Sequence, residues 1–389
     1  MPRASLGEIQ NVVKDYVKLN KSAAAWSAEF GSVSKLLNKI GKTFMINGIF
    51  ADKLPELDGE ELPFGKTIEE YYQDLYLPMD YDDYSSDPSN AAQDALKPYY
   101  PQYEDVLFSY TLKRKKIPTT LKYDEYEAGV ANADEFARIT NIVLERLYET
   151  YAQFKYACKK QMLTNLAALC INTQSTSGAT AYTTNSTVLS RGTRYSQSGA
   201  AYICVKSAAA AINKTLATLA EEGEYVVKVE LVSELAKPVD TTTGEAFILD
   251  VRSVIEKATD ASKESLNGAA IGAPEDGLLL IVKQGIMPNI NVHVEAGAFH
   301  LDKVAVPAEI KVVNSMPKTY NDGSTTQALA NEPYAILIDR RALRLHPTYV
   351  RVREQDNGNA DYVNFFHHSE HTAFISKNCF VHVWVVPGA

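Results

Sequence analysis

The chain has 389 residues, of which 46% are hydrophobic and 22% charged, enough to bury a core for two or three domains or one elaborated domain. A net charge of −9 disfavours long-range attraction of nucleic acid, and the sequence holds neither an apolar run long enough to cross a bilayer nor an apolar signal segment at its N-terminus. Its four cysteines form no CxxC pair, which indicates reduced thiols, and a cytoplasmic protein without disulfides is expected.

The first 50 residues predict two short amphipathic helices. Ile9, Val13 and Tyr16 share one helical face, and Leu37 and Ile40 belong to a second. Helices this short are not stable alone in water, so we expect an arm that docks on another surface. Residues 51–63 predict a connector because they contain Pro55, Gly59 and Pro63.

Residues 66–127 hold eleven of the 23 tyrosines but show no pattern typical of a core of their own. Residues 67–74 and 105–123 predict the two strands of a long hairpin, and the acidic stretch 78–101 predicts its tip. The charges lie in two blocks, one acidic and one basic: Asp80, Asp82, Asp83, Asp87 and Lys113, Arg114, Lys115, Lys116. A hairpin of this kind cannot bury its apolar face within its own subunit, so we expect it to lie on another, with the basic block paired to acidic residues of a neighbour.

Residues 132–170 predict one long amphipathic helix, because apolar residues recur at steps of three and four. Asn132 is the expected N-cap, Glu135 completes a variant of the capping box, and Asp134 adds negative charge where the helix dipole favours it. Such a helix spans about 55 Å. It predicts a structural spine.

The remainder predicts a mixed α/β unit followed by closing strands. Residues 173–199 form a polar loop in this interpretation, and residues 202–222 form a second helix with a small-residue face. The predicted strands and the one further helix then follow in chain order: strand 226–231, helix 251–266, strands 278–283, 291–295, 309–314, 334–339, 349–353, 373–375 and 380–386. The elements together predict an α+β protein.

Two short motifs imitate the end of a phosphate-binding loop, at residues 65–67 and 41–43. The earlier glycine that such a loop requires is replaced by Glu60 in the first and by Leu36 in the second, and Pro63 would interrupt the cradle of N–H groups. We therefore do not predict nucleotide binding.

The candidate metal ligands are His367, His368 and His371, with Cys379 and His382 downstream. On a strand His367 and His371 share a face while His368 points away, so a metal-dependent hydrolase using His367, His371 and a carboxylate remains an alternative to structural histidines. The acidic block around Asp82 lacks the spacing of an EF-hand, and a solvated tip or an intersubunit contact is favoured over a cation site. No GxSxG or HExxH motif occurs, so neither enzymatic activity nor a cofactor is predicted.

Three stretches carry a resemblance to a known family. They are residues 62–70 (LPFGKTIEE), residues 278–314 (beginning LLLIVKQGIMPNI), and the ending that contains YAILIDRRALRL from Tyr334 and TAFISKNCF from Thr372. In order and spacing, most of the chain resembles the major capsid proteins of short-tailed phages of the phi-twenty-nine type.

The resemblance implies the Hong Kong ninety-seven type shell fold. Residues 1–64 would be the N-arm and residues 65–131 the extended E-loop. The P-domain would comprise residues 132–222, with the spine helix at 132–170, and the return strands of residues 341–389. Residues 223–340 would form the A-domain.

The function implied by the resemblance is structural. The chain would assemble as pentamers and hexamers into an icosahedral shell in the virion, built in the bacterial host cytoplasm, and would enclose packaged double-stranded DNA without binding it specifically. A portal and a separate scaffolding protein would be partners, because no long charged N-terminal region is present to act as a built-in scaffold; no membrane is expected.

The predicted interface residues are mostly tyrosines and charged residues of the E-loop: Trp26, Tyr71, Tyr72, Tyr81, Asp82, Asp83, Tyr84, Tyr99, Tyr100, Lys113, Arg114, Lys115 and Lys116. Aromatic burial would supply adhesion and the charge blocks would set register. A small-molecule binding module is a further alternative, which requires a deep pocket with convergent polar groups.

Overall fold

The computed structural model describes residues 50, 52–62, 68–73, 103–108, 114–122, 133–260, 265–268, 272–290, 306–321, 326–329, 331–357, 359–360 and 362–387. The chain divides into two compact units. The smaller unit contains the described parts of Met1–Phe50, Ile117–Thr150 and Val352–His367, and the larger unit contains the described parts of the remaining chain.

The predicted hairpin is present at its base, but its return strand differs from the prediction. Strand β1 (Ile68–Gln73) pairs antiparallel with β2 (Tyr103–Phe108), with Ile68 opposite Phe108 and Gln73 opposite Tyr103. The next described strand, β3 (Lys115–Lys122), lies in a different sheet. The prediction of one strand over 105–123 was therefore wrong. Pro118 interrupts the donor pattern of β3, which suits the edge position that this strand takes.

The long predicted helix is confirmed. Helix α1 (Ala133–Gln174) is a 42-residue helix that begins one residue after the predicted start and ends four residues beyond the predicted end. In the larger unit its buried stripe follows the predicted spacing, with Met162, Leu166 and Cys170 all at most 5% exposed.

The larger unit is centred on a five-stranded sheet. The strands are β8 (Val232–Glu234), β9 (Leu278–Lys283), β10 (Glu309–Val313), β13 (Pro333–Asp339) and β16 (Val381–Val385), in the order β10-β9-β13-β16-β8. The β10-β9 and β16-β8 pairs are parallel and the two central pairs antiparallel. Every residue of β13 and β16 is buried, which explains their continuous apolar runs. Strand β16 comes from the C-terminal segment and lies in the middle of this sheet.

Helix α3 (Thr241–Thr259) supplies part of the core of this sheet. Its Phe247 packs edge-on against Trp384 at a ring-centroid distance of 5.7 Å, and the Trp384 indole donates to Asp250 at 2.6 Å. Fully burying a side chain such as that of Phe247 contributes about 1.5–3 kcal/mol to the free energy of unfolding. The prediction of a helix at 251–266 was wrong at its start, because the capping box at Asp240, whose side chain accepts from the Thr243 N–H, was not recognised. A short helix α4 (Ile286–Ile290) follows β9.

A four-stranded sheet forms a second core of the larger unit. It contains β4 (Thr180–Ala181), β5 (Arg194–Gln197), β6 (Ala200–Cys204) and β7 (Val226–Lys228), and helix α2 (Leu216–Glu222) packs against it. The predicted helix over 202–222 was wrong in its first half. Tyr202 and Cys204 lie in a buried strand, and the helix begins only at the Thr215 N-cap.

The remaining strands extend β3 and form one small ribbon. Strands β14 (Leu343–Asn357) and β15 (Tyr362–Ile375) are longer than predicted and lie in the order β14-β15-β3. In the smaller unit the Thr120 hydroxyl donates to Asn364 Oδ1 at 2.7 Å. Strands β11 (Thr319–Asn321) and β12 (Thr326–Ala328) form a two-stranded ribbon, and single 3₁₀ turns occur at Pro55–Leu57 and Glu275–Gly277.

Candidate assembly interface

The base of the β1–β2 hairpin is fastened by one carboxylate. Glu70 accepts a hydrogen bond from the Ser376 hydroxyl and lies 3.4 Å from the Lys377 N–H. Ser376 is buried, and its Oγ accepts from the N–H groups of Asn378 at 3.1 Å and Cys379 at 3.2 Å. This turn therefore anchors the base of the hairpin within the larger unit.

The hairpin itself presents aromatic surface. Tyr71 is 63% exposed although it lies in the middle of β1. In the part of the chain that the structure describes, β1 pairs only with β2. A two-stranded hairpin is marginally stable in water, so this exposed tyrosine makes the ribbon a candidate surface for packing against another element. Tyr72, also predicted as an interface residue, occupies the next position in β1.

The basic block has its first described partner within the same chain. Arg114 is half-exposed, and its Nε lies 3.1 Å from the Glu370 carboxylate, which is buried. The same guanidinium lies 4.1 Å from the centre of the Tyr349 ring, and the Arg351 guanidinium lies 5.6 Å from that centre. The pairing of this block with a neighbour stays a prediction, and the contact of Arg114 with Glu370 was not foreseen because the sequence did not show that β15 brings Glu370 beside it.

Lys115 and Lys116 follow Arg114 at the start of β3 and are exposed. Eight other predicted interface residues lie outside the described residues: Trp26, Tyr81, Asp82, Asp83, Tyr84, Tyr99, Tyr100 and Lys113. The residues of the two phosphate-loop imitations also lie outside them. The structure therefore describes Tyr71 and the run 114–116 among the predicted side chains, together with the backbone of Tyr72.

A second fastening point, which the sequence analysis missed, holds the connector. Lys159 of α1 is completely buried, and its ammonium lies 2.5 Å from Asp52 Oδ2, 2.6 Å from Asp58 Oδ1 and 2.6 Å from the Leu54 carbonyl oxygen. Lys155, one turn earlier, lies 2.8 Å from Asp58 Oδ2. The signal in the sequence was a pair of lysines four apart on a helix and a pair of aspartates six apart in the connector.

The other edge of the connector is paired with β14. The Gly59 N–H donates to the Leu345 carbonyl oxygen at 3.0 Å, and Arg344 donates to the Asp58 carbonyl oxygen at 3.0 Å. A Cβ at Gly59 would lie 2.3 Å from the His346 ring, so only glycine allows this approach without a shift. Residues 52–62 are thus a docked strap rather than a loose linker.

The candidate metal ligands have structural contacts. His371 stacks on Tyr151, whose hydroxyl lies 2.9 Å from Nε2, and burial, assisted by the charge of Asp58, raises the pKa of Tyr151 to about 12. His382 Nε2 lies 3.0 Å from the Ser233 hydroxyl. In the smaller unit the Tyr148 ring meets His367 edge-on at 5.8 Å.

Within the described ranges, no group of three or more His, Cys, Asp or Glu side chains is arranged to hold a metal ion. Burial also raises the pKa of the Cys379 thiol to about 11, so this cysteine is protonated at neutral pH. The hydrolase alternative receives no support from these contacts. No helix in the described part of the chain is both long enough and apolar enough to span a bilayer.

Comparison with known proteins identifies one matching family. A family model described as Phi29-like phage major capsid protein matches residues 31–386. No match was found among curated protein sequences.

Three solved phage structures are similar in fold. The capsid structure of Staphylococcus phage Andhra aligns with a TM-score of 0.61 at 11% identity, over 90% of this chain and 87% of that chain. A chain in the structure of head fiber and inner core protein of native bacteriophage P68 aligns with a TM-score of 0.53 at 12% identity, over 90% and 88%. The mature capsid of bacteriophage PhiM1 aligns with a TM-score of 0.50 at 7% identity, over 90% and 92%. At these identities the likeness is one of fold.

Proposed function

Because this chain belongs to the Phi29-like phage major capsid protein family, we propose that its residues 65–131 form the E-loop of a shell subunit and lie on an adjacent subunit. The chain has the α+β fold of tailed-phage capsid shells and is a structural component of the virion. The position of the E-loop on a neighbouring subunit is the part that we propose beyond the family and the fold.

The observation that carries this placement is the way the hairpin is held. Glu70 fixes its base to the Ser376 turn, while Tyr71 remains 63% exposed on a two-stranded ribbon. Burying one tyrosine of this size at an interface contributes about 1.5–3 kcal/mol before the cost of association. A shell repeats such a contact at every subunit, so weak contacts together give a stable particle.

The proposed domain boundaries are those expected for the tailed-phage capsid shell fold. Residues 1–64 are the N-arm and residues 132–222 and 341–389 the P-domain, with α1 as its spine. Residues 223–340 are the A-domain, whose sheet of β10, β9, β13 and β8 also includes β16 from the segment 341–389. The strap supports this N-arm, because Lys159 fixes residues 52–58 to α1 and so anchors the end of the arm that leads into the rest of the chain.

The remaining partners are proposed from the family and the charge. Subunits form pentamers and hexamers with a portal and a separate scaffolding protein, in the host cytoplasm. The shell encloses double-stranded DNA without specific binding, which agrees with a net charge of −9. The subunit carries out no catalysis. The exposed lysines 115 and 116 then serve contacts between subunits rather than DNA binding.

The test replaces residues 78–101 by a neutral glycine and serine linker in the full chain. We expect no shells by electron microscopy in the presence of the scaffolding protein, while circular dichroism and the thermal unfolding temperature of the subunit stay close to those of the unchanged chain. The control keeps the length of the segment and exchanges only its five serine, asparagine and glutamine residues for alanine. Normal shells from the linker variant would contradict the E-loop placement.

A further inference from the structure

A groove runs beside α1 in the larger unit. One wall is a stripe of the helix formed by Cys158, Met162, Asn165 and Leu169, and the opposite wall includes Ile375 near the end of β15. The groove has a volume of about 660 Å³. The stripe recurs at steps of four, three and four residues, so these side chains share one helix face. The length matches an extended segment of about six residues.

The groove has an apolar floor and polar, basic rims. Leu169 is 44% exposed there. Arg194 and Lys377 lie at the rim. Burial raises the pKa of the Cys158 thiol, and the charge of Lys115 acts in the opposite direction, so Lys115 also lies close to the groove. None of the described residues that line the groove is acidic. The surface therefore fits an acidic segment that carries apolar or aromatic side chains.

Of the two longest segments that the structure does not describe, one has that composition. Residues 74–102 carry six aspartates and one lysine, a net charge of −5, and include Tyr81 and Tyr84 beside Asp82 and Asp83. Residues 1–49 are the other long segment that the structure does not describe. They carry seven basic and three acidic residues, a net charge of +4. Basic rims repel the second segment and attract the first.

We propose that this groove binds residues 81–86 of a second copy of the chain. The proposal rests on the proposed function, since it names the surface on which the E-loop of a neighbour lies. The tyrosine rings cover Leu169 and Met162, with the sulfur of Met162 as a favourable partner for an aromatic ring. The aspartates lie toward Lys115 and Lys377. Gln161 Nε2 already donates to Asn165 Oδ1 and to the Thr319 carbonyl oxygen, so Gln161 Oε1 and Asn165 Nδ2 are the amide atoms left to bind an extended backbone.

Cys158 makes the proposal directly testable, because it is a native thiol inside the groove and the other three cysteines are buried. Ser85→Cys and Ser86→Cys, made separately in the full chain, place a second thiol in the acidic segment with little change in size. Assembled shells are oxidised with copper phenanthroline at mildly alkaline pH, which offsets the raised pKa of Cys158. We expect covalent multimers on non-reducing gels, and we expect Cys158→Ser to remove them.

The possible outcomes separate this proposal from the proposed function. Shells that form normally but show no disulfide to Cys158 in either variant would overturn the groove and leave the E-loop placement intact. A disulfide within one chain would assign the segment to its own groove and overturn the second copy as occupant. Shells that survive replacement of residues 78–101 would overturn the proposed function itself.

A second measurement does not require shells. A synthetic peptide of residues 78–88 with Ser86→Cys is oxidised with the full, unassembled chain, and a peptide with its aspartates changed to asparagine serves as comparison. Leu169→Gln, which polarises the groove floor, should reduce the yield of crosslinked product about tenfold, equal to about 1.4 kcal/mol. Leu249→Gln is the matched control, because Leu249 is an exposed leucine of α3 that does not line the groove. Equal yields from the two peptides, or from the two leucine variants, would contradict the proposal.

Discussion

Lys159 is completely buried in α1, and its ammonium is surrounded by two carboxylates and a carbonyl oxygen of the connector. Moving a charged group out of water is costly, and the cost is offset here because all three contacts lie within 2.6 Å. Removing the lysine leaves Asp52 and Asp58 facing each other without their shared cation. The connector would then lose its main fastening to the helix.

Lys159→Met should therefore lower the free energy of unfolding by about 3 kcal/mol, the lower end of the range for breaking a buried ion pair, since both aspartates keep partial access to water. Lys155→Met is the matched control, because this lysine binds Asp58 from a more exposed position and should cost about 1 kcal/mol or less. Urea unfolding of the unassembled subunit, followed by circular dichroism, measures both values. Equal losses would show that Lys159 is not the fastening residue.

Strand β13 begins beside a cluster of one acid and three lysines. Glu332 binds the Lys283 ammonium at the end of β9, and Lys237 and Lys318 each lie 3.5 Å from its Oε2. The hydrogen bond from Lys283, and then the charges of the three lysines, lower the pKa of Glu332 from its ordinary 4.5 to about 2. The cluster joins the start of β13 to its neighbouring strand.

Because the pKa of Glu332 is lowered in the folded chain, the stability of the chain should fall as the pH is lowered. The ionised Glu332 stabilises the folded chain above pH 4.5, and this contribution is lost as the pH falls from 4.5 toward about 2. The thermal unfolding temperature of wild type should exceed that of Glu332→Gln at neutral pH, and the difference should narrow as the pH falls from about 4.5 to about 2. Glu245→Gln on the exposed face of α3 should show no such narrowing. A difference that stays constant with pH would contradict this assignment.

The elements that the sequence predicted well are those with one dominant period. Helix α1 was placed within four residues at each end, because a helix of 42 residues repeats its apolar spacing many times. Strand β9 was predicted without error, since LLLIVK is a continuous apolar run with turn residues after it. Strand β6 was mistaken for a helix because the run of small residues at 208–211 suggested one. The Thr215 N-cap was the signal that marked the true start of α2.

The interface was predicted less completely, for a different reason. The tyrosine content and charge blocks of residues 66–127 pointed to a contact surface, but partners far apart in sequence are fixed only by the fold. Glu370 lies 256 positions from Arg114, and Ser376 lies 306 positions from Glu70. No local pattern links such residues. The strap at Lys159 was missed because proline and glycine in residues 51–63 are also typical of a plain connector.

The charge of the whole chain is unevenly distributed along the sequence. The net charge is −9, yet residues 1–49 carry +4 while residues 74–102 carry −5. Copies of such a chain repel one another at long range but attract where an acidic segment meets a basic surface. Electrostatics should therefore govern how fast subunits find the correct contact, whereas apolar burial should govern how long it lasts.

The rate of shell assembly should consequently fall when the salt concentration is raised from about 0.1 M to about 1 M, where the screening length shrinks from about 10 Å to about 3 Å. Asp82→Asn combined with Asp83→Asn should slow assembly at low salt and flatten its salt dependence, because the attraction is already weakened. Glu221→Gln combined with Glu245→Gln removes the same charge from exposed positions of α2 and α3 and should leave the salt dependence close to that of wild type. Light scattering during assembly with the scaffolding protein measures all three rates. If both double variants respond to salt alike, the acidic segment does not guide the encounter and only apolar burial joins the subunits.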